Sequence, residues 1–225
     1  MKKAAKIFSI GLAAIMAAST FMFSTPGTVR AEENSTDISN VSNADWMGAL
    51  DDDIPITDLS IPGTHDSATA HTKFEDAIST AQFMPIGPLT DGDTYDQLDL
   101  GVRYFDLRLY FEKDRKGYDT WALCHGSGSF APCFYTSSTI AGSRITMEPR
   151  NGYPGIWGWM EQFLKKHSSE TVILEIALED SDGDSDEAKQ KLYDYLEDYA
   201  LRDGSIVWKG NSIPTLKEAR GKLFF

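Results

Sequence analysis

Apolar and polar positions follow two different periods along this chain, and each change of period marks an element. From Val102 to Phe111 every second residue is large and apolar (Phe105, Leu107, Leu109), with Tyr104, Asp106 and Arg108 between them. A period of two predicts a strand with one face on outer helices and the other facing inward. Thr171–Leu178 repeats the pattern. Val172, Leu174, Ile176 and Leu178 form the outward face, and Ile173, Glu175, Ala177 and Glu179 the inward one. Glu175 is expected deep on that face, paired with a basic residue. Shorter strands are predicted over Asp58–Ile61, where Pro62-Gly63 ends the run, over Trp121–His125, and from Lys222 onward.

Helical spacing appears over Gly155–His167, with Ile156, Trp159/Met160 and Phe163/Leu164 on one side. It appears again after Asp184 or Ser185, either of which can cap a helix running to about Leu201. The apolar stripe there is Ala188, Leu192, Tyr195/Leu196 and Tyr199. Trp46–Leu50 reads as a short amphipathic turn and Tyr95–Leu100 as a short helix. Pro214 opens a last helix that Gly221 closes. Residues 126–155 carry Gly, Ser and Pro with little periodicity and read as a long loop. Strands alternating with helices imply parallel βα units. With long connections at the strand ends they fit the α/β class and a TIM-like (β/α) barrel, whose site is built at the carboxyl ends of the strands. The closing Gly221–Phe225 would open about the fifth strand, so the barrel is expected to be incomplete here and the chain a fragment of a longer protein.

The N-terminus changes this picture. Lys2, Lys3 and Lys6 precede an uncharged apolar run, Ile7–Phe23, and Val29-Arg30-Ala31 offers a cleavage site. This is the layout of a secretory signal peptide over 1–31, cut after Ala31, in a secreted protein. A polar leader over 32–44 follows, then one domain over 45–225. Removing 1–31, with its four basic residues and no acid, takes the formal charge from −13 to −17. So acidic a chain excludes nucleic acid as a partner and disfavours electrostatic docking on anionic membranes. Cys124 and Cys133 would share an oxidising compartment. They either form a disulfide that tethers the loop after His125 or remain two partly buried thiols.

Candidate chemistry gathers at the predicted strand ends. His65 emerges from Ile61-Pro62-Gly63-Thr64-His65-Asp66-Ser67, and His125 from Leu123-Cys124-His125-Gly126. Histidine titrates near neutrality, so two at neighbouring strand ends suit a base and an acid. Asp106 and Arg108 face inward at a spacing of two, as a structural ion pair or as a phosphate clamp, since guanidinium matches phosphate geometry. Glu179 falls at the end of its strand, either as a solvated acid or as a substrate-binding group. His167 reads as a partly exposed helix cap, and His71 lies in an undefined segment. The acid-rich run from Glu179 to Glu187 lacks the ligand pattern of a calcium loop.

Four stretches in register resemble the bacterial phosphatidylinositol-specific phospholipases C, the X-domain family. They are Asp58–Ser67, Gly101–Arg108, Leu123–Gly126 and Ser169–Leu174, with Trp46-Met47 and Pro214–Phe225 fitting the same order. The resemblance spans about residues 45–225. It implies a TIM-like barrel that cleaves phosphatidylinositol, with transient contact to a membrane surface. Attack by the inositol 2-hydroxyl would give diacylglycerol and inositol 1,2-cyclic phosphate. His65 would be the general base and His125 the general acid, supported by Asp66. Arg108 would stabilise the phosphoryl charge and Asp106 would hold the network together.

The resemblance also implies that Arg108 stands where calcium-dependent members use a metal, so no metal and no cofactor are expected. It places the carboxylate partner of His65 beyond Phe225, and it puts Ala177 and Leu178 where secreted members carry a lysine. The alternatives are another secreted lipid phosphodiesterase, of glycerophosphodiester or sphingomyelin type, and a non-catalytic binding protein on the same fold.

Overall fold

The computed structural model describes residues 40–69, 82, 84–88, 96–113, 119–125, 145–150, 152–179 and 185–225. The predicted signal peptide, most of the leader, His71, Cys133 and most of the 126–155 loop lie outside them. Among the described residues no helix is long and apolar enough to cross a membrane.

A single sheet organises the rest. β1 (Gly63–Thr64), β2 (Tyr104–Lys113), β4 (Val172–Leu178) and β5 (Leu223–Phe224) run parallel in that spatial order. β3 (Asp119–Leu123) runs antiparallel to β2, pairing Leu109–Lys113 with Leu123–Asp119. Two helices follow the expected periods. α1 (Gly155–Lys166) lies between β3 and β4, and α2 (Asp186–Leu201) between β4 and β5. Phe105, Leu107, Leu109, Val172 and Leu174 form one buried core with Ile156, Trp157, Met160, Leu192, Leu196 and Tyr199 of the helices. The predicted outward faces of both long strands are thus the buried ones. The other sheet face carries Tyr104, Asp106, Arg108 and Glu175, and helices on one side of a parallel sheet make a partial (β/α) barrel.

The helix ends follow local chemistry. Ser185 caps α2 by accepting from the Ala188 amide at 3.1 Å, one of the two caps expected. Gly155 opens α1 at φ 61°, and a Cβ there would lie 2.5 Å from the Glu148 carbonyl oxygen, so only glycine fits. α1 docks on α2 through Trp157, which stacks on Tyr199 at 3.8 Å and donates to the Tyr195 hydroxyl at 2.7 Å.

Several boundaries differ from the sequence expectation. Asp58–Ile61 is not a strand, because 56–58 forms a 3-10 turn and pairing begins only at Gly63. Pro62 has no N–H to give a ladder, but its carbonyl accepts from the Arg103 and Tyr104 amides. The expected helix at Tyr95–Leu100 is a run of turns over 97–101. The Trp121–His125 strand ends at Leu123 and joins β2 in an antiparallel pair rather than as a βα unit. The last helix, α3 (Leu216–Ala219), starts at a Thr215–Glu218 capping box, just after Pro214.

The amino ends of the strands are closed by the 3-10 turn Asn43–Ala49, which includes the last two residues of the predicted leader. Its anchors are buried. Arg103 pairs with Glu170 at 3.0 Å, both side chains being 0% exposed, and donates to the carbonyls of Ala44, Leu98 and Val102. His167 caps α1 as expected, but it is buried rather than partly exposed. It stacks on Phe163 and its Nδ1 lies 2.6 Å from Asp45 Oδ1.

Asp96, at the turn before β2, is 2% exposed, and its Oδ1 accepts from the Asp99 amide at 2.8 Å. Burial nevertheless pushes this carboxyl up to about 6. The folded state therefore holds the proton more tightly than the unfolded chain, and stability falls as pH rises from the usual carboxylate range through about 6. Asp96→Asn keeps the acceptor and removes the charge. It is expected to add about 1–2 kcal/mol at neutral pH and almost nothing at ~pH 4. Urea midpoints at the two pH values check this, and a loss of stability at neutral pH would refute it.

Candidate active site

The site is built just past the ends of β1, β3 and β4 and on the inner face of β2, which runs on past it to Lys113. β1 leads into the turn 64–67, which Ser67 fastens to β2. The Ser67 amide donates to the Asp106 carbonyl at 2.9 Å, and its hydroxyl accepts from the Asp106 amide at 2.9 Å. Gln97 braces the turn from below. It accepts from the Thr64 hydroxyl at 2.7 Å and donates to the Ser67 carbonyl at 2.8 Å. Within this frame Asp66 takes a left-handed backbone at φ 48°, a region that aspartate tolerates better than most residues. The turn places the His65 and Asp66 side chains over β2.

Five predicted site residues meet there. His65 Nδ1 lies 2.7 Å from Asp106 Oδ2, and His65 Nε2 lies 2.9 Å from Asp66 Oδ2. His125 Nε2 lies 3.0 Å from the same Asp66 oxygen. One buried carboxylate oxygen thus links two imidazoles. Arg108 donates from Nη2 to Asp106 Oδ2 at 2.8 Å. Its Nε lies at ion-pair distance, 2.7 Å from Asp106 Oδ1 and 3.7 Å from Asp66 Oδ1, without the alignment of a hydrogen bond. Asp66 and Asp106 are buried, His125 and Arg108 half-buried, and the His65 side chain is 72% exposed. His125 is set by the antiparallel pair, where the Cys124 amide donates to the Arg108 carbonyl at 2.9 Å. Its Nδ1 is buried and has no partner among the described residues.

The electrostatics follow from the contacts. Burial pushes the Asp106 carboxyl up, but hydrogen bonds from Arg108, the Asp66 amide and His65 outweigh it and hold it below the usual carboxylate range. The hydrogen bond to Asp106 holds the Arg108 guanidinium above its ordinary value. Asp106 is therefore a fixed anion and Arg108 a fixed cation across the physiological range.

His65, Asp66 and Asp106 each offer a ligand atom within 4.8 Å of the others, so their spacing admits a cation. Both oxygens of Asp106, however, already face the Arg108 guanidinium. Among the described residues the Arg108 guanidinium is the cation beside this carboxylate pair.

Other expectations fare differently. Glu179 stands at the end of β4, its amide donating to the Leu109 carbonyl at 2.9 Å. It is close enough to Arg108 to favour the charged guanidinium. Among the described residues Glu175 meets no basic side chain. It is exposed and accepts from the Tyr104 hydroxyl at 2.5 Å, because the residue beside it across the sheet is Asp106. Within the described residues the carboxylate on His65 Nδ1 is Asp106; the partner expected beyond Phe225 lies outside them. Cys124 is buried, and its pairing with Cys133 lies outside the described residues. Sequence reasoning gave no role to Ser67 or Gln97. The only signal for Ser67 was a small polar residue in a turn next to a strand of inward charges.

A sheet with helices on one face and a histidine–carboxylate–arginine cluster on the other defines a partial barrel with titratable groups gathered beside a fixed cation. The comparisons with known proteins bear on the fold and on the relatives of the chain. No protein-family profile matches the chain. The 1-phosphatidylinositol phosphodiesterase of Listeria monocytogenes is 30% identical over 186 residues, 82% of this chain and 49% of that protein. The mouse PI-PLC X domain-containing protein 1 is 28% identical over 78% of this chain and 49% of its own length. A solved variant of the phosphatidylinositol-specific phospholipase C of Staphylococcus aureus aligns over 81% of this chain and 51% of that one, at 22% identity and a TM-score of 0.51. Over the stretch they share, this chain is a homologue of the bacterial phosphatidylinositol-specific phospholipases C and of the PI-PLC X domain-containing proteins. It spans about half the length of the curated relatives it matches.

Proposed function

We propose that this protein is a secreted phosphodiesterase of the lyase type that cleaves phosphatidylinositol. The observation that carries the reading is the pair of imidazoles meeting on Asp66 Oδ2 at 2.9 and 3.0 Å, beside a guanidinium that is already charge-balanced. Asp106 keeps the proton on His65 Nδ1, which leaves Nε2 as the base once substrate displaces its contact with Asp66. The 2-hydroxyl of inositol attacks phosphorus and its proton passes to His65 Nε2. The bond from phosphorus to the glycerol oxygen breaks, and His125 protonates that oxygen. Arg108 takes the charge that gathers on the phosphoryl oxygens, and Glu179 lies at the rim as a substrate-binding group. The products are diacylglycerol and inositol 1,2-cyclic phosphate. Contact with the lipid surface is transient, and the signal peptide is cut after Ala31.

The test uses the full chain purified from culture medium, with its N-terminus read by mass spectrometry. Wild type, His65→Ala and His125→Ala are assayed on phosphatidylinositol with and without EDTA. Cyclic inositol phosphate from wild type alone, undiminished by EDTA, is the expected result, with each histidine variant down by about 10²–10⁴. Activity that EDTA abolishes and calcium restores would replace this reading with a metal-dependent phosphodiesterase. No turnover of any diester would point to a binding protein, and a retained N-terminal segment would remove secretion by cleavage.

A further inference from the structure

The chemistry above leaves one carboxylate on the inner face of β4 unused. Glu175 stands directly across from Asp106 in the β2–β4 pair, so the two side chains share the face that also bears Arg108. It is exposed, with Oε2 held by the Tyr104 hydroxyl at 2.5 Å. Tyr104 is backed in turn by Gly63 of β1, where even a Cβ would lie 3.1 Å from the Tyr104 Cβ. The second oxygen, Oε1, has no partner among the described residues. The carboxylate is thus fixed at one oxygen and open at the other.

The position next along this face is Ala177, which stands across from Arg108. Its side chain is only a methyl and carries no polar group that could compete for the guanidinium. The two backbone positions are offset by two residues of strand, a rise of about 6.6 Å, and the guanidinium leans back from there to Asp106, across from Glu175, so a single six-membered ring is long enough to bridge them. A ring joined to a phosphoryl group on Arg108 can lie over Ala177 and bring a hydroxyl to Glu175. A carboxylate is a poor neighbour for the phosphate itself but a strong acceptor for a hydroxyl.

We propose that Glu175, held by Tyr104, is a specificity-determining residue that accepts a hydrogen bond from a ring hydroxyl of a polyol headgroup. The proposal rests on the phosphodiesterase reading for the placement of the phosphoryl group. It does not depend on turnover for its test.

Binding of free myo-inositol and of inorganic phosphate to the full chain is measured by calorimetry for wild type, Glu175→Gln and Tyr104→Phe. Steady-state kinetics on phosphatidylinositol in mixed micelles are run alongside. Glu175→Gln is expected to weaken myo-inositol binding about tenfold or more and to raise KM similarly, with kcat and phosphate binding held within about twofold. Tyr104→Phe, which frees the carboxylate, should move the same two quantities less.

Unchanged myo-inositol binding in Glu175→Gln overturns the proposal, as does a fall in kcat at constant KM, which would mean that Glu175 acts through Asp106. Parallel loss of phosphate binding also overturns it, because the whole site would then have moved. If wild type turns over no phosphatidylinositol, the phosphodiesterase reading falls. Glu175 still stands in that case if wild type binds myo-inositol and Glu175→Gln does not, and falls with it if neither binds.

Discussion

Arg108→Ala is expected to lower turnover of phosphatidylinositol by about 10³–10⁵-fold, the range seen when an arginine that stabilises a transferring phosphoryl group is removed. Two losses combine. On the proposed mechanism the guanidinium is the cation beside the attacking and leaving positions, and the same group offsets two buried carboxylates. It contacts both oxygens of Asp106, at 2.7 and 2.8 Å, and one of Asp66 at 3.7 Å. Without it, two anions would face an incoming phosphodiester. Arg108→Lys returns a charge but not the planar fork, so it should recover only part of the loss. The measurement is kcat for both variants, with circular dichroism to confirm the fold. Arg108→Ala retaining kcat within about tenfold of wild type would refute the role.

That five-residue site was legible in the sequence because strand alternation is rigid. Once Phe105, Leu107 and Leu109 are assigned to the core, Asp106 and Arg108 have only the other face to occupy. His65 and His125 were legible as strand-end residues, although β1 begins five residues later than expected and β3 runs antiparallel. Neither error moved a histidine, because each follows a strand's end whatever the strand's direction. Register across strands was not legible. It places Glu175 beside Asp106 and Ala177 beside Arg108, and it depends on which strands neighbour which. The helices were read well where an apolar stripe met a capping residue, as at Ser185. They were read poorly at 95–100, where polar residues satisfy one another in turns.

Glu170→Ala is expected to cost about 3–5 kcal/mol of stability, the usual result of stranding one partner of a fully buried ion pair. Arg103 and Glu170 are both 0% exposed. Burial pushes the Arg103 guanidinium down from its ordinary value and Glu170 opposes it. A guanidinium stays charged in proteins, so the buried cation would be left without its counter-charge. Glu170 also accepts from Ser169 Oγ and from the Gly48 amide, and its loss would release the 3-10 turn that closes the amino ends of the strands. Urea unfolding of wild type, Glu170→Ala and Glu170→Gln measures the effect. The glutamine variant keeps an acceptor and should lose less. A change below about 1 kcal/mol in Glu170→Ala would mean that the pair is hydrated in solution. Activity per folded molecule should be unaffected, because Arg103 and Glu170 lie at the strand ends opposite the site.

The antiparallel pairing of β2 with β3 also bears on the order in which the site assembles. Asp106, Arg108 and His125 belong to one short stretch of chain whose strands meet by closing a single local loop, an event of microseconds. His65 and Asp66 arrive from about forty residues upstream, through parallel pairing that needs a longer and slower closure. The half of the site that carries Asp106, Arg108 and His125 is therefore expected to form early in folding. The half that carries His65 and Asp66 would dock on it last.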